Sequence, residues 1–137
     1  MTGGGNIYSF AAPTAFTATL AGLASGTWDI YLRIATLGTT ANEVATLNGL
    51  TASRTVTYTE AISGGFGGGE EESLWHWSLV PGASTFTFNF SASGSSLSLD
   101  QVALYAVPVP VPEPGALGLL AAGLGAAALL GRRRRQP

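Results

Sequence analysis

The sequence of 137 residues contains no cysteine and only one histidine, His76. Without cysteine the chain can form neither a disulfide framework nor a thiolate metal site. A single histidine cannot by itself assemble a cluster of imidazole ligands around a metal ion. The three carboxylates at residues 70–72 lack the alternating pattern of a calcium loop. We therefore expect no metal and no cofactor.

Lysine is absent as well, and the six basic residues are all arginines. Four of them stand together near the C-terminus, at Arg132, Arg133, Arg134 and Arg135. Two basic and eight acidic residues precede these arginines. The chain before Arg132 therefore carries a net charge of −6. A nucleic-acid partner requires a basic surface. We expect no nucleic acid to bind.

No secretory signal peptide is visible at the start of this sequence. Residues 1–6 read Met-Thr-Gly-Gly-Gly-Asn, without the basic and apolar segments that such a signal needs. We expect the start of this sequence to be truncated.

Recognisable catalytic motifs are also missing. A serine nucleophile on a strand-to-helix elbow would need Gly-x-Ser-x-Gly, which does not occur. Carboxylate pairs can hydrolyse glycosides, but Asp29, Glu43, Glu60 and Asp100 have no distinctive spacing. We expect a protein that is not an enzyme.

Alternation of apolar and polar residues dominates the first hundred positions. Trp28, Ile30, Leu32 and Ile34 alternate with Asp29, Tyr31 and Arg33, which predicts a half-buried strand. Two further strands are predicted in the same way. The first of these strands has Trp75, Trp77 and Leu79 on one face. The second has Phe86, Phe88 and Phe90 on one face.

Turn-forming residues separate these strands. Residues 24–26 and Pro81-Gly82 predict turns, and Asn48-Gly49 predicts a two-residue hairpin. The apolar phase changes near Asp100-Gln101, which predicts a β-bulge. The glycines and glutamates of residues 61–72 predict a long loop.

These signals together predict an all-β chain over residues 1–106. Several short strands and no helical periodicity before Gly115 favour an antiparallel β-sandwich. Residues 107–114 alternate proline with valine or glutamate, which predicts an extended linker. Residues 115–131 contain only Gly, Ala and Leu and are just long enough for a transmembrane helix. Residues 132–137 then form a basic tail, which is expected to stay in the cytoplasm.

The C-terminal sequence resembles the PEP-CTERM sorting signal of Gram-negative bacteria. The match consists of Val111, Pro112, Glu113 and Pro114, then the apolar run, then the four arginines. The resemblance implies recognition by an exosortase, a membrane enzyme of cysteine-transpeptidase type, which removes or exchanges the tail. The motif residues would then be substrate residues. A plain C-terminal membrane anchor is the alternative.

Residues 26–106 resemble carbohydrate-binding modules with a galactose-binding-like jelly roll. The resemblance is carried by residues 26–33, 47–49, 75–77, 81–86 and 99–104. Such modules usually have more strands before residue 26, which agrees with a truncated start. The resemblance implies a sugar ligand, and Tyr31, Trp75 and Trp77 are the candidate stacking residues. Packing in the core is the competing interpretation for both tryptophans.

We therefore expect a non-enzymatic exported protein, anchored in the inner membrane during transit and then delivered to the cell surface or extracellular matrix. Its expected partners are an exosortase, membrane lipid and, through a role in a biofilm, exopolysaccharide. A carbohydrate-binding module attached to the cell surface is the alternative function.

Overall fold

Seven strands make up the structure, and every pairing between them is antiparallel. The computed structural model describes residues 7–10, 13–63 and 68–110. The strands are β1 (Ile7–Ser9), β2 (Ala15–Gly38), β3 (Val44–Leu47), β4 (Leu50–Ser53), β5 (Thr55–Ala61), β6 (Gly69–Ser91) and β7 (Leu97–Pro108). These residues include no helix. The prediction of an all-β antiparallel fold is confirmed for them.

One sheet contains all seven strands, in the order β1-β7-β2-β6-β3-β4, with β5 paired to β6 beside that path. β2 and β6 have 24 and 23 residues and pair along nearly their whole length. Both exceed the usual length of a strand, about 3–10 residues. The expectation of short strands is therefore wrong for these two elements.

The sheet folds over on itself, because β6 bends sharply near its middle. Trp77 and Phe88 both lie in β6 and are eleven residues apart. In a straight strand that separation would be about 36 Å. Their ring centroids are only 5.7 Å apart. The first and second halves of β6 therefore lie in two facing layers, which enclose the core as in a sandwich.

The residues that were predicted to form turns lie at the bend of the sheet, which we call the corner. The pairing of β2 with β6 shifts in register between Leu23 and Thr27 and again between Trp28 and Ile30. Gly22 and Gly26 have φ of +93° and +90°, which few other residue types tolerate. Residues 24–26 and Pro81-Gly82 thus bend two continuous strands without reversing them, and the prediction of turns there is wrong.

The core lies between the two layers, and the alternating pattern identified most of its members. The most deeply buried large side chains come from β2, β3, β6 and β7: Ile30, Leu32, Ile34, Leu47, Trp75, Phe86, Phe88 and Leu97. Leu79 was expected on the same face as Trp75. It is instead 65% exposed, with φ of +54°, and Val80 is buried in its place. The corner therefore breaks the period-2 pattern.

Two local predictions are confirmed. Leu47 and Leu50 pair across Asn48-Gly49, and both turn residues have positive φ, as a two-residue hairpin requires. Ala35 pairs with Gln101 but Thr36 pairs with Leu99, so Asp100 is the extra residue of a β-bulge.

The predicted loop at residues 61–72 is wrong at both ends. β5 continues to Ala61, and Gly69 already begins β6, while residues 64–67 lie outside the described part. The glutamates enter the strand because they have partners there. Arg54 Nη1 lies 2.8 Å from Glu71 Oε1, which also accepts a hydrogen bond of 2.6 Å from the Ser73 hydroxyl. Neutralisation of this buried carboxylate makes its position in the sheet acceptable.

Candidate functional site

Three aromatic side chains form a continuous row on the outer face of the sheet. Tyr31 of β2 pairs with His76 of β6 on one side and with Tyr105 of β7 on the other. Ring centroids are 4.4 Å apart for Tyr31 and His76 and 4.7 Å apart for Tyr31 and Tyr105. The ring planes differ by only 5° and 10°. Both faces of the Tyr31 ring are therefore covered by its neighbours.

Charged residues flank this row on the same face. Asp29 precedes it along β2, and its Oδ2 atom lies 3.9 Å from His76 Nε2. Arg33 follows it and donates a hydrogen bond to Glu72. Glu72 Oε1 accepts a second hydrogen bond, 2.7 Å long, from the Thr57 hydroxyl. The hydrogen bond from Arg33, supported by Thr57, lowers the pKa of Glu72 below its ordinary value.

We expect Glu72→Gln to lower the thermal unfolding midpoint near neutral pH, and we expect this loss to shrink in acid. Because the folded state lowers the pKa of Glu72, its stabilising contribution is present above the ordinary carboxyl pKa of 4.5. It is lost as the pH falls through the lower, folded-state pKa. Unfolding midpoints of both proteins, measured from neutral to acidic pH, test this dependence.

Glu43→Gln is the matched control, because Glu43 is exposed and forms no ion pair within the described residues. Its substitution should leave the midpoint almost unchanged throughout. A loss for Glu72→Gln that stayed constant down to strongly acidic pH would contradict the assigned role of the carboxylate.

The two candidate tryptophans of β6 point away from this row and into the core. Trp75 is 0% and Trp77 is 4% exposed. Their indole N–H groups donate to the backbone oxygens of Glu43 and Leu50, at 3.0 and 2.9 Å. This geometry gives both tryptophans a packing role. Ligand binding at Tyr31 stays a prediction, and it cannot use a free face of that ring.

Several ionisable side chains near the row have partners within the described residues. In that part of the chain no group of three or more His, Asp or Glu side chains could hold a metal ion. His76 stacks on Tyr31. Glu71 forms an ion pair with Arg54, and Glu72 forms one with Arg33. Tyr105 was not among the predicted site residues, because its place beside Tyr31 depends on the pairing register of β2 with β7, which no local pattern in the sequence specifies.

The predicted sorting residues follow directly after the last strand. β7 ends at Pro108, and the Val109 N–H donates to the Thr27 carbonyl at 2.8 Å. Residues 111–137, which contain the Pro-Glu-Pro sequence, the apolar run and the arginines, lie outside the described part. Within residues 7–10, 13–63 and 68–110 there is no helix with the length and apolarity that a membrane crossing requires.

Comparison with known protein families gives a match on the C-terminal segment. No curated protein matches the chain, and no solved structure matches it. The family model of the PEP-CTERM protein-sorting motif matches residues 110–135. These include all four residues of the predicted motif, the apolar run and the arginines. The chain therefore carries a PEP-CTERM protein-sorting motif, the signal by which an exported protein is presented to an exosortase.

Proposed function

We propose that this protein is a non-enzymatic component of the cell surface or extracellular matrix of a Gram-negative bacterium. In this proposal an exosortase processes the C-terminal signal, and the β domain is the part that functions afterwards. The observation that carries the proposal is the match of the sorting motif to residues 110–135.

The boundary between sheet and motif supports processing without loss of the fold. β7 ends at Pro108, and the matched segment starts two residues later, at Pro110. Removal of the chain anywhere beyond Pro110 therefore takes no residue from the sheet. The domain can leave the membrane with all seven strands in place.

Charge and hydropathy support the orientation. Residues 115–131 are uncharged and would cross the membrane as a helix, while the four arginines would remain in the cytoplasm. The β domain then lies outside the cytoplasmic membrane, held there until the tail is processed. Lipid around the apolar run and the exosortase are the partners in this state.

A structural role accords with the chemistry of the domain. Its ionisable side chains near the outer row are used in ion pairs and aromatic stacking, as Arg33 with Glu72 and Tyr31 with His76 illustrate. An adhesive or scaffolding function in an exopolysaccharide matrix or biofilm needs no more than a stable exposed sheet. Carbohydrate binding by a jelly-roll-like domain is the narrower alternative. It could not stack a sugar ring on Tyr31, since both faces of that ring are covered.

Glu113→Ala is expected to prevent processing of the tail. The protein, supplied with a signal peptide, would be expressed in a host that has an exosortase, and its intact mass and location would be measured. We expect the wild-type protein to lose its tail and leave the inner membrane, and the variant to remain there intact. The reason is that Glu113 is the charged member of the matched Pro-Glu-Pro sequence.

Two controls separate sorting from simple anchoring. Glu43→Ala removes an exposed carboxylate from the domain and should be processed normally. A host without the exosortase should retain the wild-type tail. If both the wild-type protein and Glu113→Ala kept their tails in the competent host, residues 115–135 would be a plain anchor.

A further inference from the structure

The chain leaves the sheet beside the corner. Pro108, the last residue of β7, pairs with Trp28 of β2. Val109 then donates its N–H to the carbonyl of Thr27, which directly follows residues 24–26 of the corner. The point where the described chain ends is therefore fixed to one end of the domain, and that end is the corner.

A short connection joins this point to the uncharged run of residues 115–131. Pro110 is the last described residue before it, and Gly115 stands five positions further along the chain. Because an extended chain covers at most about 3.6 Å per residue, the connection spans no more than about 18 Å. Residues 28–38 of β2 alone extend about 33 Å. If residues 115–131 cross the membrane, the corner is the end of the domain that is held near the lipid headgroups.

Leu79 lies at the corner in a conformation and an environment that leucine does not favour. Its φ is +54°, and its side chain is 65% exposed. Positive φ is unusual for a bulky residue, whereas asparagine and glycine adopt it more readily. Core packing does not explain a leucine here, because Val80 is buried in its place. An exposed apolar side chain on a strained backbone points to a contact outside the sheet.

A second exposed apolar side chain lies nearby. The Leu79 N–H donates to Asp29 Oδ1 at 3.0 Å, and Asp29 pairs with Val107 of β7. Val107 is 48% exposed. Pro81 and Pro108 at the same end of the domain are exposed as well. Leu79 and Val107 therefore flank the same β2 residue, close to the point where the chain leaves the sheet.

Charged side chains are concentrated toward the opposite end of the domain. Residues 20–28, 77–86 and 102–110, which form the corner and its surroundings, contain none. The glutamates of residues 70–72 pair with residues 35–37 of β2, about 23 Å or more along the strand from the corner. The same end carries Glu43, Glu60 and Asp100. The corner can therefore approach anionic lipid without bringing these carboxylates near it.

We infer that the corner rests on the lipid surface while the tail is attached, with Leu79 and Val107 in contact with the interfacial region of the bilayer. This inference rests on the membrane-crossing role proposed for residues 115–131. Apolar side chains at the interface gain by leaving water. Because even one acyl chain binds a membrane only marginally, two side chains cannot hold a domain there alone. The contact is therefore lost when processing removes the tail.

Lipid contact can be measured at single cysteines, because the sequence contains none of its own. Leu79→Cys, Val107→Cys and Val44→Cys would be made separately in the full chain and labelled with a fluorophore. Each would be reconstituted into vesicles of phosphatidylethanolamine and phosphatidylglycerol that contain a nitroxide-bearing lipid. We expect about fivefold stronger quenching at positions 79 and 107 than at position 44, because quenching requires close approach to the bilayer interface.

Val44 is the matched control for Val107. The two valines are 47% and 48% exposed. Val44 lies in β3 next to Glu43, at the end of the domain that carries the glutamates. A label there reports the quenching of a domain that is attached to the vesicle but does not touch it.

Leu79→Asn separates contact through the side chain from proximity through the short connection. Asparagine tolerates positive φ better than leucine, so the variant should keep the fold and its circular dichroism spectrum. In the labelled Val107→Cys protein, we expect Leu79→Asn to reduce quenching at least about twofold. Val56→Asn, at an exposed apolar position of β5, should leave it unchanged. Unchanged quenching in the Leu79→Asn protein would overturn the inference.

Flotation of the same vesicles distinguishes this inference from the proposed function. Protein that floats with the vesicles but is quenched equally weakly at positions 107 and 44 would overturn the corner contact and leave the membrane-crossing role intact. In that case, slower processing of Leu79→Asn by the exosortase would identify the enzyme as the partner of Leu79. Protein that did not float would overturn both the crossing by residues 115–131 and the contact that depends on it.

Discussion

Replacement of Trp75 by alanine is expected to lower the free energy of unfolding by about 3–5 kcal/mol. Trp75 is 0% exposed and lies in the core between the two layers of the folded sheet. Its removal leaves a large cavity, and the Glu43 carbonyl loses the hydrogen bond that it accepts from the indole at 3.0 Å. Urea unfolding followed by far-ultraviolet circular dichroism measures the loss.

His76 provides the matched control because it is the next residue along β6 but lies on the outer face. His76→Ala removes one stacking contact with Tyr31, which is worth about 0.5–1.5 kcal/mol. The two adjacent substitutions should therefore differ severalfold in their effect. Equal losses would contradict the assignment of Trp75 to the core and of His76 to the outer row.

Gly38→Ala is expected to destabilise the domain by about 2–4 kcal/mol through backbone strain and steric overlap. Gly38 ends β2 with φ of +86°, and a Cβ atom there would lie 2.6 Å from the Ser96 carbonyl oxygen. That oxygen belongs to the backbone just before β7 begins, so it cannot move aside without disturbing the pairing of β7 with β2. The midpoint of urea unfolding is again the measurement.

Gly49→Ala isolates the steric part of this effect. Gly49 also has φ of +86°, but a Cβ atom added there would have nothing within 4 Å. Its substitution should cost only the backbone strain, about 1–2 kcal/mol. If both alanine variants were destabilised equally, the close approach of Gly38 to Ser96 would have no energetic consequence.

The features predictable from sequence are those encoded within a few neighbouring residues. The burial of Ile30 and Phe88 followed from local alternation, and the Asn48-Gly49 hairpin from the residues that its turn requires. The bulge at Asp100 was visible as a change of phase. The sorting motif was readable for the same reason, since its proline motif, apolar run and arginines follow one another along the chain.

The features that sequence reasoning missed depend on residues far apart in the chain. Residues 24–26 have turn-forming composition, but whether such residues reverse a strand or bend it depends on how β6 pairs alongside. Glu71 belongs to a strand because Arg54, seventeen positions earlier, neutralises it. Likewise, the row of Tyr31, His76 and Tyr105 exists only in one cross-strand register, which no local pattern specifies.

The position of β7 also has a mechanical consequence. The segment that carries the sorting motif leaves the domain from the end of this strand. β7 pairs with β2 along its length, from the pair of Leu97 with Gly38 to the pair of Pro108 with Trp28. Inter-strand hydrogen bonds run perpendicular to the strands. A force that pulls the domain away along the axis of β7 therefore loads these bonds in shear, all together. The attachment point resists extraction better than a strand that could be peeled off one bond at a time.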